Sequence, residues 1–140
     1  MRLEESWGFQ ISKIGQEMDR RFSKILEPYA ISSREYGVLL TIHEQTLLTQ
    51  LKIGELNKLD RTTIGQLVDH LEAKGFLQRQ KNPKDRRQNL LELTEAGQNL
   101  VREMWHKMQA VEVEVIQTLP DRQKETLLSI VERLKENEHE

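Results

Sequence analysis

Between Lys52 and Gly97 the chain sets a short helix, a second helix opened by Asp-Arg-Thr-Thr and a basic hairpin one after another, an order that few folds accommodate. The second helix reads DRTTIGQLVDHLEAKG, where Ile64, Leu67, Val68 and Leu71 recur at steps of three and four and share one face. Gly75 stops it. The hairpin FLQRQKNPKDRRQNLLELTEAG then places Asn82-Pro83-Lys84-Asp85 as a turn signal between two strand-like runs.

Charge is concentrated in that hairpin. From Lys74 to Gln88 six cations, Lys74, Arg79, Lys81, Lys84, Arg86 and Arg87, stand against Asp85 alone, a net of +5 over fifteen residues in a chain whose total is -2. From residue 93 onward the balance reverses, six Lys or Arg against ten Asp or Glu. A protein that neutralises phosphates needs positive charge only where it meets the backbone, so helix, helix and basic hairpin in this order describe a DNA-reading module.

At 140 residues the chain is expected to be a single domain, 1–140, near the size where oligomerisation adds much of the buried area. Absence of Cys excludes disulfides, a thiolate nucleophile and a thiol redox sensor. Zinc would have to use His and carboxylate, yet His43, His70, His106 and His139 are scattered and form no His-Glu-x-x-His motif. The glycines are dispersed with no Gly-Lys-Ser/Thr, and no Ser sits in an elbow sequence, so neither catalysis nor a cofactor is expected. No eighteen apolar residues run together, which makes a cytoplasmic protein without membrane contact the expectation.

Helical periodicity continues on both sides of the module. Ile11, Ile14, Met18, Phe22, Ile25 and Tyr29 make a stripe over Trp7 to Tyr29, with Pro28 near its end. Ser32 or Ser33 caps a second helix, and Glu35 three residues after Ser32 suits a capping box. Tyr36, Leu39, Leu40 and His43 are expected to face inward. A third helix, Gln50 to Lys58, carries Leu51, Ile53, Leu56 and Leu59, with Thr49 as cap. A long helix from Glu95 to Leu119 aligns Leu100, Met104, Met108, Val111 and Val115, and Val101, Trp105 and Ile116 broaden that face. Pro120 ends it, and residues 121–136 carry Leu127, Ile130, Val131 and Leu134 on a last stripe. These flanking helices exceed what the module needs for its own core, which points to self-association.

Asp85, Arg87, Leu91, Leu93, Thr94, Glu95 and Gly97 in DRRQNLLELTEAG, with Leu59-Asp60-Arg61-Thr62-Thr63 and Leu67 to Gly75 before them, resemble the wing signature and recognition helix of the MarR family of bacterial winged helix-turn-helix regulators. The likeness runs over nearly the whole chain. It implies a mainly α fold: a winged helix-turn-helix region, 33–94, flanked by N- and C-terminal dimerisation helices, 1–30 and 95–140. It further implies a homodimer on double-stranded DNA, with recognition helices in major grooves and wings in adjoining minor grooves. Members mostly repress from pseudo-palindromic operators, and many release DNA when a small phenolic, lipophilic or drug-like ligand binds. The missing Cys excludes the family's thiol-sensing branch.

Residue by residue, Thr62, Thr63 and Gln66 lie in the first turns of the reading helix, where short polar side chains reach base edges, and Gln66 has the geometry to bind adenine bidentately. The plainer alternative has both threonines merely opening the helix, with Asp60 as cap. Arg61 is suited to phosphate. His70, one turn beyond Gln66, is read as sharing its exposed face, either reaching DNA or standing in solvent. Where the family often has Arg, this chain has Gln66, and Asp69 and Glu72 add two acids to the helix. In the wing, an acid one residue from Arg suits a charge-assisted hydrogen bond that fixes the tip, and the resemblance implies that Asp85 shapes the wing while Arg87 meets the DNA backbone. Arg86, nearest the tip, fits a narrow minor groove, and Lys84, Lys81 and Arg79 add backbone charge. A solvated basic hairpin is the alternative.

A small aromatic or lipophilic effector has candidate ligands in Phe22, Tyr29, Trp105 and Met108, with Trp7 and Met104 nearby and Arg21, Tyr36 or His43 to orient a carboxylate or hydroxyl. The same Met and aromatic stripe also reads as core. The competing function is a winged-helix dimer acting through a protein partner: Gln66, Asp69 and Glu72 permit it, and Arg79 through Arg87 oppose it.

Overall fold

The computed structural model describes residues 1–117 and 120–137. Among these residues are six α-helices, α1 (Trp7–Leu26), α2 (Ser33–Glu44), α3 (Gln50–Leu56), α4 (Arg61–Ala73), α5 (Glu95–Ile116) and α6 (Asp121–Asn137), and two antiparallel strands, β1 (Leu77–Asn82) and β2 (Asp85–Leu93). This is the mainly helical winged architecture expected. A 3-10 turn, Glu27–Tyr29, takes the segment where α1 was expected to continue, because Pro28 cannot extend the α-helical hydrogen bonding. The expected extension of α5 to Leu119, and His139, lie outside the described residues.

Helix starts are set by side-chain oxygens. Ser32 caps α2 in a reciprocal box with Glu35, Thr49 accepts from the amide of Lys52, Asp60 from that of Thr63 and Thr94 from that of Gly97. At the end of α4, Gly75 takes φ +81°, and the amides of Gly75 and Phe76 return to the carbonyls of Glu72 and Leu71. That double return ends the helix and aims the chain into β1.

Val38, Leu39 and Ile42 of α2 meet Ile53 of α3, Ile64, Val68 and Leu71 of α4, Leu77 and Leu91 of the strands, and Leu100, Val101 and Met104 of α5 in one core. Each is essentially buried, contributing roughly 1.5–3 kcal/mol against exposure. Asn57 ties α3 to α2 by donating to Thr41 Oγ1 (3.1 Å) and the carbonyl of Ile53 (2.9 Å). β1 and β2 pair from Leu77 opposite Leu93, with an irregularity after Lys81. The chain before α3 joins the sheet, the amide of Leu91 donating to the carbonyl of Leu48 (3.0 Å).

At the junction of wing and α5, the amide of Thr94 donates to the carbonyl of Phe76 and its hydroxyl to that of Gly75 (2.5 Å). A Cβ on Gly97 would lie 2.0 Å from the Phe76 carbonyl oxygen. The Leu-Thr-Glu-Ala-Gly run therefore serves a close approach of backbone to backbone.

Several expected inward faces come out otherwise. His43 is exposed, Leu40 and Leu59 are half-buried, and Leu51 and Leu56 of α3 are exposed beside the buried Ile53. The stripe of α1 divides: Phe22 and Ile25 pack on the core, whereas Trp7, Phe9, Ile11 and Ile14 are exposed. α6 leaves Leu127, Leu128, Ile130, Val131 and Leu134 exposed. Among the described residues no helix is long and apolar enough to cross a membrane.

Candidate nucleic-acid interface

The core orients α4. With Ile64, Val68 and Leu71 buried, Arg61, Thr62 and Gln66 are left exposed and Thr63 half-buried. Asp60 secures this first turn, and the backbone amide of Thr63, followed by the Thr63 hydroxyl, holds its carboxyl below the usual range. The threonines thus open the helix, as the plainer reading has it, and still present polar side chains outward.

The wing tip is built by local hydrogen bonds. The amide of Lys84 donates to Asn82 Oδ1 (3.0 Å), and Asn82 Nδ2 to Gln88 Oε1 (3.0 Å). Arg87 donates from Nε and Nη2 to the two oxygens of Asp85 (3.1 and 3.2 Å) and from its backbone amide to Oδ1 (3.1 Å). These bonds, the guanidinium's first, hold the Asp85 carboxyl below its ordinary range. The tip-fixing bond expected from sequence is therefore present. Lys84, Arg86 and Arg87 are exposed around it.

A groove of about 480 Å³ joins these parts, lined by Thr49, Gln50 and Leu51 at α3, Arg61 and Ile64 of α4, and Asp85, Arg87, Gln88 and Asn89 of β2. Arg61 and Arg87 come from segments 26 positions apart and face one concavity. Two guanidiniums, that of Arg87 held by Asp85, flank the Thr49 hydroxyl and the amides of Gln50, Gln88 and Asn89, and suit an anionic backbone lying across the groove.

Two side chains differ from their sequence reading. His70 is exposed one turn beyond Gln66, as expected, but it is not a free group: its Nδ1 meets Glu35 Oε2, and Glu35 is only 5% exposed while its other oxygen accepts from the amide of Ser32 (3.0 Å). A histidine 35 positions from its partner gives no local signal of that pairing. Arg79 is not general backbone charge. Its Nη2 lies 2.6 Å from Asp69 Oδ1 and its Nη1 3.0 Å from Glu72 Oε1, while Nε donates to Gln50 Oε1 (3.1 Å). The acids of the reading helix are turned toward the wing strand.

The effector candidates do not converge. A cavity of about 550 Å³ lies between Leu40, His43 and Glu44 of α2 and Val101, Arg102, Trp105 and His106 of α5, so only His43 and Trp105 of the expected set line it. Met108 and Tyr36 are buried in the core, and Phe22 packs against it. The Tyr36 hydroxyl donates to the carbonyl of Val101 (2.9 Å), and burial pushes the phenol up to about 12. Arg21 binds Glu17 and Glu114, and Tyr29 donates to Glu103 (2.9 Å), which raises the phenol above its ordinary value. Sequence reasoning missed Arg102 and His106, which lie one position after Val101 and Trp105 on the same helix.

The sequence model of the MarR family matches residues 31–88. An organic hydroperoxide resistance transcriptional regulator from Bacillus subtilis (strain 168) is 31% identical over 97 residues, 69% of this chain and 66% of that protein. The chain belongs to the MarR family. MarR family members are transcriptional regulators, not enzymes. The chain spans just under two thirds of the length of the curated relatives it matches first. Solved structures are covered more fully. CouR from Rhodococcus jostii RHA1 bound to p-coumaroyl-CoA superposes with a TM-score of 0.85 at 27% identity, covering 96% of this chain and 94% of that one. A mutant MarR from Escherichia coli complexed with operator DNA gives 0.81 at 26% identity, covering 91% of each.

Proposed function

We propose that this MarR-family chain is a sequence-specific DNA-binding repressor that holds a pseudo-palindromic operator as a homodimer. One observation carries the reading: a polar helix start and a basic wing border the same groove, with Arg61 on one side and Arg87 on the other. Thr62, Thr63 and Gln66 read base edges, Arg61, Lys84 and Arg87 hold phosphates, Arg86 enters the minor groove and Asp85 shapes the wing. His70, paired with Glu35, helps to seat the helix. Residues 33–94 form the reading region, and 1–30 with 95–140 join two copies into one unit. Their exposed apolar stripes support that pairing. The mutant MarR with operator DNA supports the same use of the fold. The site of action is the cytoplasm, where the DNA is.

The cavity between α2 and α5 is the place for a small aromatic or lipophilic effector, as the ligand-bound CouR suggests by likeness. His43, Arg102 and His106 would orient a polar group and Trp105 an apolar one. A protein-partner role would draw on Gln66, Asp69 and Glu72; of these Asp69 and Glu72 are already paired with Arg79, and the basic wing tip favours DNA instead.

The test is fluorescence anisotropy on the tightest duplex that the protein selects from a random-sequence pool, against an unrelated duplex, with salt varied from about 50 to 200 mM. Preference of about 1000-fold or more, with a steep salt dependence, is expected. Failure to enrich any duplex would overturn the reading.

A further inference from the structure

We infer that Arg79 is a positioning residue for DNA binding: by pairing with Asp69 and Glu72 it screens the acids of the reading helix from the phosphates while tying that helix to the wing. The inference rests on the DNA-binding reading above.

Arg79 projects from β1 back onto α4, and its side chain is only 21% exposed. Its guanidinium touches three side chains, Asp69, Glu72 and Gln50, and its backbone amide donates to the second oxygen of Glu72 (3.1 Å). Three elements, α3, α4 and β1, therefore meet on one cation. The planar fork suits this arrangement, since separate nitrogens serve separate acceptors at fixed angles. A lysine would supply the charge as a single point and could not span all three.

The charges explain why such a cation is needed. Between Arg61 and Lys74 the helix carries Asp69 and Glu72 against its two terminal cations, and Asp69 is well exposed. A phosphate backbone laid along this helix meets both carboxylates unless their charge is offset locally. Arg79 supplies the offset from the far side, inside hydrogen-bond distance, so it need not touch DNA. Its charge is committed within the protein, unlike those of Lys84 and Arg86 at the exposed tip.

The test compares Arg79→Gln, the triple variant Arg79→Gln with Asp69→Asn and Glu72→Gln, and the double variant Asp69→Asn with Glu72→Gln. All are titrated on the duplex selected by the unaltered protein. Arg79→Gln should weaken binding about tenfold or more, and the triple variant should return to within about threefold of the unaltered protein with an unchanged slope of affinity against salt. Recovery by deleting charge distinguishes screening from a general structural role. The double variant, which needs no loss of Arg79, should bind at least as tightly as the unaltered protein, so the inference can be tested even if Arg79→Gln does not fold. A triple variant as weak as Arg79→Gln, a salt slope reduced by about one, or weakened binding by the double variant would each overturn it. If the unaltered protein selects no duplex, it is the DNA-binding reading that fails.

Discussion

Within residues 33–94, Val38, Leu39, Ile53, Val68, Leu71 and Leu91 are wholly enclosed by their own chain, whereas in α6 Leu127, Leu128, Ile130, Val131 and Leu134 are 46–65% exposed. The first half of α1 resembles α6, with Trp7, Phe9, Ile11 and Ile14 also outside the core. Both regions have the apolar periodicity of a buried helix face. In the winged region each stripe meets a neighbour from the same chain, while the outer helices hold stripes with no such neighbour. Apolar side chains exposed at helical spacing are costly to leave in water, and such a stripe suits association. The module, α5 and the second half of α1 are thus stabilised within the chain, whereas the first half of α1 and α6 keep apolar side chains outside that core.

The largest expected effect comes from charging the outer surface. Leu127→Asp combined with Ile130→Asp should halve the mass found by sedimentation and reduce affinity for the selected duplex by about 100-fold or more, since two half-sites are no longer read together. The winged region should stay folded by circular dichroism. An unchanged mass would break the comparison.

Next in size is the reverse experiment inside the module. Leu39→Ala removes a fully buried side chain and should cost about 3 kcal/mol in denaturant unfolding, with no change in association of the folded protein. A loss of association alone would show that the two regions are not separable. Gly97→Ala sharpens the boundary between them, because its Cβ would strike the Phe76 carbonyl where α5 leaves the wing. A loss of about 2 kcal/mol is expected, and a neutral outcome would mean that this junction yields easily.

The smallest effect is a pH dependence confined to the wing. Arg87, by its guanidinium and then its amide, holds Asp85 below its ordinary value of 3.8. An acid depressed in the folded state contributes stability above its unfolded value, and the contribution is lost as pH falls through the lowered value. Amide shifts of Arg87 should therefore be constant from neutral pH to about 4 and move only below it. Movement already at pH 5 would contradict the Asp85–Arg87 pairing.

The parts of this architecture that were legible in the sequence are those that local chemistry dictates. The caps at Ser32, Thr49, Asp60 and Thr94 need only a hydroxyl or carboxylate at the right offset. Ile64, Val68 and Leu71 needed only their spacing, and Asp85 with Arg87 only a separation of two residues. Contacts made across the fold left no such trace. His70 reaches Glu35 across 35 positions, and Arg79 finds Asp69 only because the hairpin strand returns along α4. The stripe of α1 was legible as a stripe, yet its division into a packed and an exposed half depends on where α5 crosses it. The residues that line the cavity between α2 and α5 were the least legible, since apolar periodicity looks the same around a core as around a cavity. Hence Tyr36 and Met108 proved to be core, while Arg102 and His106 line the opening.

In the proposed function two copies of this chain, paired through their outer helices, read two half-sites with α4 and the wing. Its most direct test is an anisotropy titration of the selected duplex beside the same duplex with one half-site scrambled. Two chains per intact duplex, and affinity lower by about 100-fold or more on the scrambled one, are the predicted result. Equal affinity for both, at one chain per duplex, would contradict it.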